Sequence, residues 1–267
     1  MQRDLFKAPP SPKSRTWVRV EKILPWVIYL AAITEAEWVT TYSNPHIGAV
    51  IHAIIFVALV THSHLESKSP EGKLLLALSL APLMRIIAIM IPTASFYQLY
   101  RHVIVSVPLL IATVIVMRVL KFRAEDVSFT FHRIPFQVAV AASGIPLGLI
   151  AYFSLKPQSL IIGLTWGDIV LPGIIFILCI GFVQELIFRG VMQHTSLQVL
   201  GKWGILYISL LFAILSMGRF SGLSMLFMFG VAFFFSWIVK RTDSLLGVIL
   251  AHGIMNVVLY LIAPSIL

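Results

Sequence analysis

GFVQELIFRGVMQ, residues 181–193, closes a long apolar run and carries a carboxylate, Glu185, and a cation, Arg189. Those two charges decide how the chain is read. At membrane depth a charge is expensive, and it faces a protein interior or a water-filled cavity rather than lipid. Glu185 and Arg189 are spaced i, i+4 with the acid first, the order that favours a helical ion pair. The pair suits a structural role at a helix end that reaches toward water. It equally suits a polar site inside a membrane bundle.

Composition points to the membrane. The chain has 267 residues, 59% hydrophobic and 12% charged, with a mean hydropathy of +0.95. A soluble domain carries about 25% charged residues. The lone cysteine, Cys179, lies inside an apolar run, which excludes an internal disulfide and a cysteine-rich metal site. A net charge of +9 is read here through the placement of Lys and Arg around membrane spans, and not as a nucleic-acid footprint. Membrane lipid is the first partner implied.

Apolar stretches of about 20 residues suffice to cross the hydrocarbon core. On that measure the expected fold is all-α, a polytopic membrane helical bundle of nine spans at 23–42, 47–63, 73–92, 101–120, 135–155, 168–189, 203–219, 222–240 and 244–264. Residues 1–22 form a basic tail, and no cleavable leader follows it. With the tail inside, the inner segments hold 16 Lys and Arg and the outer ones hold Arg101, Lys156 and Arg219. This asymmetry fits the positive-inside rule and predicts a cytoplasmic N-terminus and a C-terminus outside. The polar, aromatic-bearing stretch 121–134 reads as an interfacial linker. It divides the expected organisation into a four-span bundle, 23–120, and a five-span core, 135–267.

Each part has a polar constellation. In the first, Arg85 lies about 18 Å into the third span at 1.5 Å per residue. Glu35 lies equally deep in the first span, and His52 falls in a similar band. A buried Arg needs a partner, so the expected ion pair is Arg85–Glu35, with Glu37 as second choice. Such a group suits a structural lock, or a solute or proton path. In the second part, His252 and Asn256 in AHGIMN share one face of the ninth span. An imidazole and an amide on one stripe can bind a metal, hold a water or stabilise an oxyanion. Glu185 and His252 both fall in the inner half of the membrane, close enough in depth to share a cavity.

QELIFRG, LLFAILS and LLGVILAHGIMN together resemble the three motifs of the CPBP family, the CAAX-processing type II prenyl endopeptidases and bacteriocin-processing or immunity membrane proteins. The resemblance covers about residues 135–264. Glu185 and Arg189 match the first motif, with Gln184 at the position of its first Glu. Phe212 matches the second, with Ser216 at the position of its His. His252 and Asn256 match the third in full.

The resemblance implies an intramembrane endopeptidase in which a glutamate activates water, with His and Asn side chains binding a divalent metal such as zinc or stabilising the oxyanion. It casts Glu185, His252 and Asn256 as catalytic, Gln184, Arg189, Phe212 and Ser216 as supporting, and His252 as the candidate metal ligand. The two departures weaken that scheme. A Gln amide takes no proton from water, and a Ser hydroxyl is a poor substitute for imidazole as a transition-metal ligand. The alternatives are a weakened endopeptidase, a non-catalytic binder of a hydrophobic or prenylated peptide, and a small transporter using Glu35, Arg85 and His52. The expected geometry is convergence of Glu185, Arg189, His252 and Asn256 on one cavity, with Gln184 and Ser216 at its wall.

Overall fold

The structure is a computed structural model that describes residues 15–91, 98–161, 163, 165–217 and 222–267, the side chains of residues 15–22, Gln98 and Leu223 excepted. Nine helices run through the described residues. They are α1 (Arg15–Tyr42), α2 (Pro45–Leu65), α3 (Pro70–Met90), α4 (Gln98–Val119), α5 (Ile134–Leu155), α6 (Trp166–Leu200), α7 (Trp203–Ile214), α8 (Gly222–Thr242) and α9 (Leu246–Ile266). No strand occurs among these residues, and eight of the helices are long and apolar enough to cross a membrane. The chain is an all-α polytopic integral membrane protein.

The expected seventh span, 203–219, needs correction. Helix α7 has 12 residues, about 18 Å of helix against a hydrocarbon core of about 30 Å. Its apolar run continues past Ile214, but the chain turns at Leu215. Arg219, placed in an outer segment above, and the first 14 residues of the basic tail lie outside the described residues. The sixth span also differs: it does not stop at Arg189 but continues to Leu200, 35 residues in all. Arg189 is 2% exposed, so it is an interior residue and not a boundary charge.

Two spans break where proline dictates. Pro82 and Pro146 lack the N–H that would bond Leu78 and Ala142, four residues earlier. Helix α3 breaks at Ser79 and α5 at Ser143, directly after those two residues. The Ser79 and Ser143 hydroxyls donate to the Leu76 and Val140 carbonyls, 2.7 and 2.6 Å away.

The segment between α4 and α5 clasps the turn that starts α9. Ser128 donates to the Asp243 carboxylate at 2.8 Å, and Thr130 donates to the Asp243 carbonyl at 2.5 Å. Ser244 returns a bond to the Thr130 carbonyl, and Leu245 N–H donates to the Ser128 carbonyl. Helix α9 then packs between α5 and α6. The contact is close: a Cβ on Gly253 would stand 2.7 Å from the Ile177 Cα. One hydrophobic core runs from Trp26 of α1 through Leu78 of α3 to Ile187 of α6 and Met255 of α9. The two expected parts therefore share a core.

Candidate functional site

Helix α6 carries the first motif where two π-helical stretches, Phe176–Phe182 and Leu186–Met192, meet, the second of them holding Arg189. Such stretches are rare and frequently accompany functional sites. Between them, Gln184 and Glu185 point in directions about 100° apart, as neighbours on a helix must. Gln184 lines a cavity. Glu185 is wholly buried on the other side.

Glu185 joins two helices. Its Oε1 accepts from Arg189 Nη1 at 3.1 Å and from His252 Nδ1 at 2.6 Å. A carboxylate only accepts, so Nδ1 of His252 carries the proton and Nε2 is left for other partners. Arg189 gives a further bond to the Ala232 carbonyl at 3.2 Å. Its guanidinium lies 4.6 Å from the Phe212 ring centre, with Phe235 and Phe188 at 5.8 and 5.9 Å. Such cation–π contacts gain strength away from water. Phe212 and Phe235 also stand 6.1 Å from the His252 ring. The pair with Glu185 and this aromatic cage explain how a charge sits so deep.

The cavity has two compartments. One of about 40 Å³ is lined by Gln184, Phe212, Ser216, His252 and Asn256, with room for a few waters. It adjoins a larger one of about 750 Å³ that shares Gln184, Phe212, Ser216 and Asn256. The Ser216 hydroxyl donates to the Phe212 carbonyl at 3.0 Å, and the Asn256 amide donates to the His252 carbonyl at 2.9 Å. Neither bond uses up the oxygen of its side chain.

The expected convergence is thus met in part. Gln184, Ser216, His252 and Asn256 come to one cavity, whereas Glu185 and Arg189 stand behind His252 and line neither compartment. His194, the spare imidazole nearest in sequence, contacts Gln198 and Phe122 instead. Tyr260, four residues beyond Asn256, lines both compartments and was not singled out from the sequence. Its place four residues beyond Asn256 on the same span is the sequence signal for it.

The donor set does not fit the divalent metal that the resemblance implied. A catalytic zinc takes three protein ligands. Among the described residues no group of three or more His, Cys, Asp and Glu side chains comes together. At the motifs one imidazole and one carboxylate meet, and that carboxylate already faces Arg189.

The N-terminal constellation corrects the expected ion pair. Arg85 is bonded through Nε to Glu37, not to Glu35. His52 Nε2 lies 3.1 Å from the same Glu37 oxygen. Helical phase is the reason: Trp26, Ile33, Ala36 and Glu37 form the buried face of α1, while Glu35 is exposed on the opposite side. Depth alone could not separate two residues about 3 Å apart along the axis. Both halves of the protein therefore bury one Glu joined to one Arg and one His.

Residues 165–258 match the family model described as Type II CAAX prenyl endopeptidase Rce1-like. That stretch runs from the start of α6 into α9 and holds Gln184, Glu185, Arg189, Phe212, Ser216, His252 and Asn256. No curated protein and no solved structure matches the chain. The motif order in the sequence, the matched stretch and the membrane-helix bundle agree, and together they support membership of the CPBP family of type II CAAX prenyl endopeptidase-like membrane proteins.

Proposed function

We propose that this protein is a membrane-embedded binder of a hydrophobic or prenylated peptide, with the CAAX-endopeptidase fold but without a working hydrolytic base. The observation that carries this reading is the difference between neighbours on α6. The residue on the cavity wall is an amide, Gln184, and the carboxylate beside it is buried and paired. A general base must reach the proton it abstracts, directly or through one water. Gln184 reaches the cavity and is not a base. Glu185 is a base held between Arg189 and His252. The cavity is large enough for a peptide segment and mixes apolar side chains, Phe188, Phe212 and Leu215 among them, with polar ones. Gln184, Ser216 and Asn256 offer hydrogen bonds to the backbone of an extended peptide.

The Lys and Arg asymmetry supports a cytoplasmic N-terminus and a cytoplasmic α4–α5 segment. The bonds of Ser128 and Thr130 to the turn before α9 favour the same side for that turn, and α9 then leads to an external C-terminus, although α7 alone is too short to cross. Reporter fusions at Leu267 and in the loop around Glu125 test this orientation. Both reporting one side would overturn it.

The functional test compares binding with turnover. The purified protein in nanodiscs should bind a fluorescent farnesylated peptide and leave it intact. The double variant Gln184→Glu, Ser216→His restores a base and a second imidazole and should cleave it. General-base catalysis contributes roughly 10²- to 10⁴-fold in rate, so the gain is measurable. Repeated turnover by the unmodified protein would overturn the reading.

A further inference from the structure

The larger cavity is walled on one side by helices outside the family match, and that side is cationic. Arg85 of α3 and Arg101 of α4 line it, together with His46 and His102. Among the described residues no Asp or Glu lines either compartment. Arg101 is exposed, near the start of α4, and forms no ion pair among the described residues. Arg85 gives its Nε to Glu37 and still lines the cavity. The start of α2, the end of α3 and the start of α4 lie at one end of the bundle, where the chain reverses. Arg101, Val105 and Leu109 follow one stripe of α4 inward from that end. Phe188, Phe212 and Leu215 continue the apolar wall toward Gln184 and Asn256.

A cavity with a cationic mouth, a partly apolar wall and no acid on its own lining favours a ligand with an apolar body and an anionic end. Guanidinium groups suit a carboxylate, which they grip through paired N–H donors. We infer that Arg101, with Arg85 behind it, forms a subsite for the free C-terminal carboxylate of the bound hydrophobic peptide. This rests on the peptide-binding reading above and assigns a specificity role to residues outside the three motifs. The peptide would lie with its carboxylate toward the α3–α4 end and its apolar part against Phe188, Phe212 and Leu215.

The test uses two farnesylated peptides of one sequence, one ending in a free carboxylate and one in an amide. Each is titrated by fluorescence anisotropy against the full-length protein in nanodiscs of zwitterionic lipid. The acid should bind about tenfold tighter or more, the usual scale of a charge-assisted contact. The preference should collapse in Arg101→Gln through weaker binding of the acid, and it should persist in Arg101→Lys. Equal binding of acid and amide would overturn the carboxylate subsite and leave the peptide-binding reading standing. A preference that survives Arg101→Gln intact would overturn the role of Arg101. Binding of neither peptide would overturn both readings.

Discussion

Nδ1 of His252 lies 2.6 Å from Oε1 of Glu185, 67 residues away in sequence. The same oxygen holds Arg189. One buried oxygen thus ties α9 to α6 and sets the orientation of an imidazole at the cavity wall. Its neighbours on the outer side are aromatic rings, so water does little to screen the contact.

This arrangement separates the effects of two adjacent substitutions. Glu185→Gln keeps the shape and leaves Arg189 buried without its counter-charge. Breaking a buried pair in this way costs about 3–5 kcal/mol. Gln184→Glu adds a charge on the cavity wall, where water can reach it, and should change stability little. Thermal unfolding in detergent should therefore drop by several degrees for Glu185→Gln and stay near wild type for Gln184→Glu. The reverse order would contradict the assignment of the two faces.

Phe212 is the ring nearest the Arg189 guanidinium and also walls both compartments. Phe212→Ala removes a large buried side chain, at a cost of about 3–5 kcal/mol, and exposes the cation. Phe212→Trp keeps a π-face over the guanidinium and should retain more of the stability. Equal loss in both variants, measured as midpoint shifts in thermal unfolding, would assign the effect to packing volume alone.

Gly253 precedes no turn; its role is to let α9 approach α6. An Ala Cβ there would stand 2.5 Å from Ile177 Cγ1 and 2.7 Å from its Cα. Overpacking of this kind costs about 1–3 kcal/mol. Gly230 has open space around it, and Gly230→Ala should be neutral or stabilising. Comparing the two melting curves checks the helix contact that carries His252. A neutral Gly253→Ala would mean that α9 sits farther from α6.

The acids of α1 make a paired test. Glu37→Gln removes the partner of Arg85 and His52 and should destabilise strongly. Glu35→Gln, on the exposed face, should leave unfolding unchanged or raise its midpoint by removing a charge from the lipid side. A destabilised Glu35→Gln protein would put the buried face of α1 elsewhere.

These cases mark what a one-dimensional reading can reach. Apolar runs located the helices because hydrocarbon thickness sets a minimum length. They made α7 too long, since hydropathy records composition and not where a helix turns. They ended α6 too early, since Arg189 looks like an interface charge until its partners in space are known. Motif order brought Gln184, Ser216, His252 and Asn256 to one place. It did not assign the faces of Gln184 and Glu185, because two π-helical stretches alter the phase of α6 around them. Glu35 and Glu37 failed to separate for a related reason: depth was used where azimuth decides.

The π-helical stretches also bear on how the length of α6 can vary. A turn closed by i→i+5 bonds holds one residue more than an α-helical turn. Deleting one residue within 176–182 lets that turn close as ordinary α-helix, with Gln184 still facing the cavity. Deleting one within 166–175 instead rotates everything downstream by about 100°. That rotation carries Glu185 toward the place of Gln184. An acid can therefore be brought to the cavity wall by a single indel, with no change of side chain, and the site at which the indel falls decides whether it is.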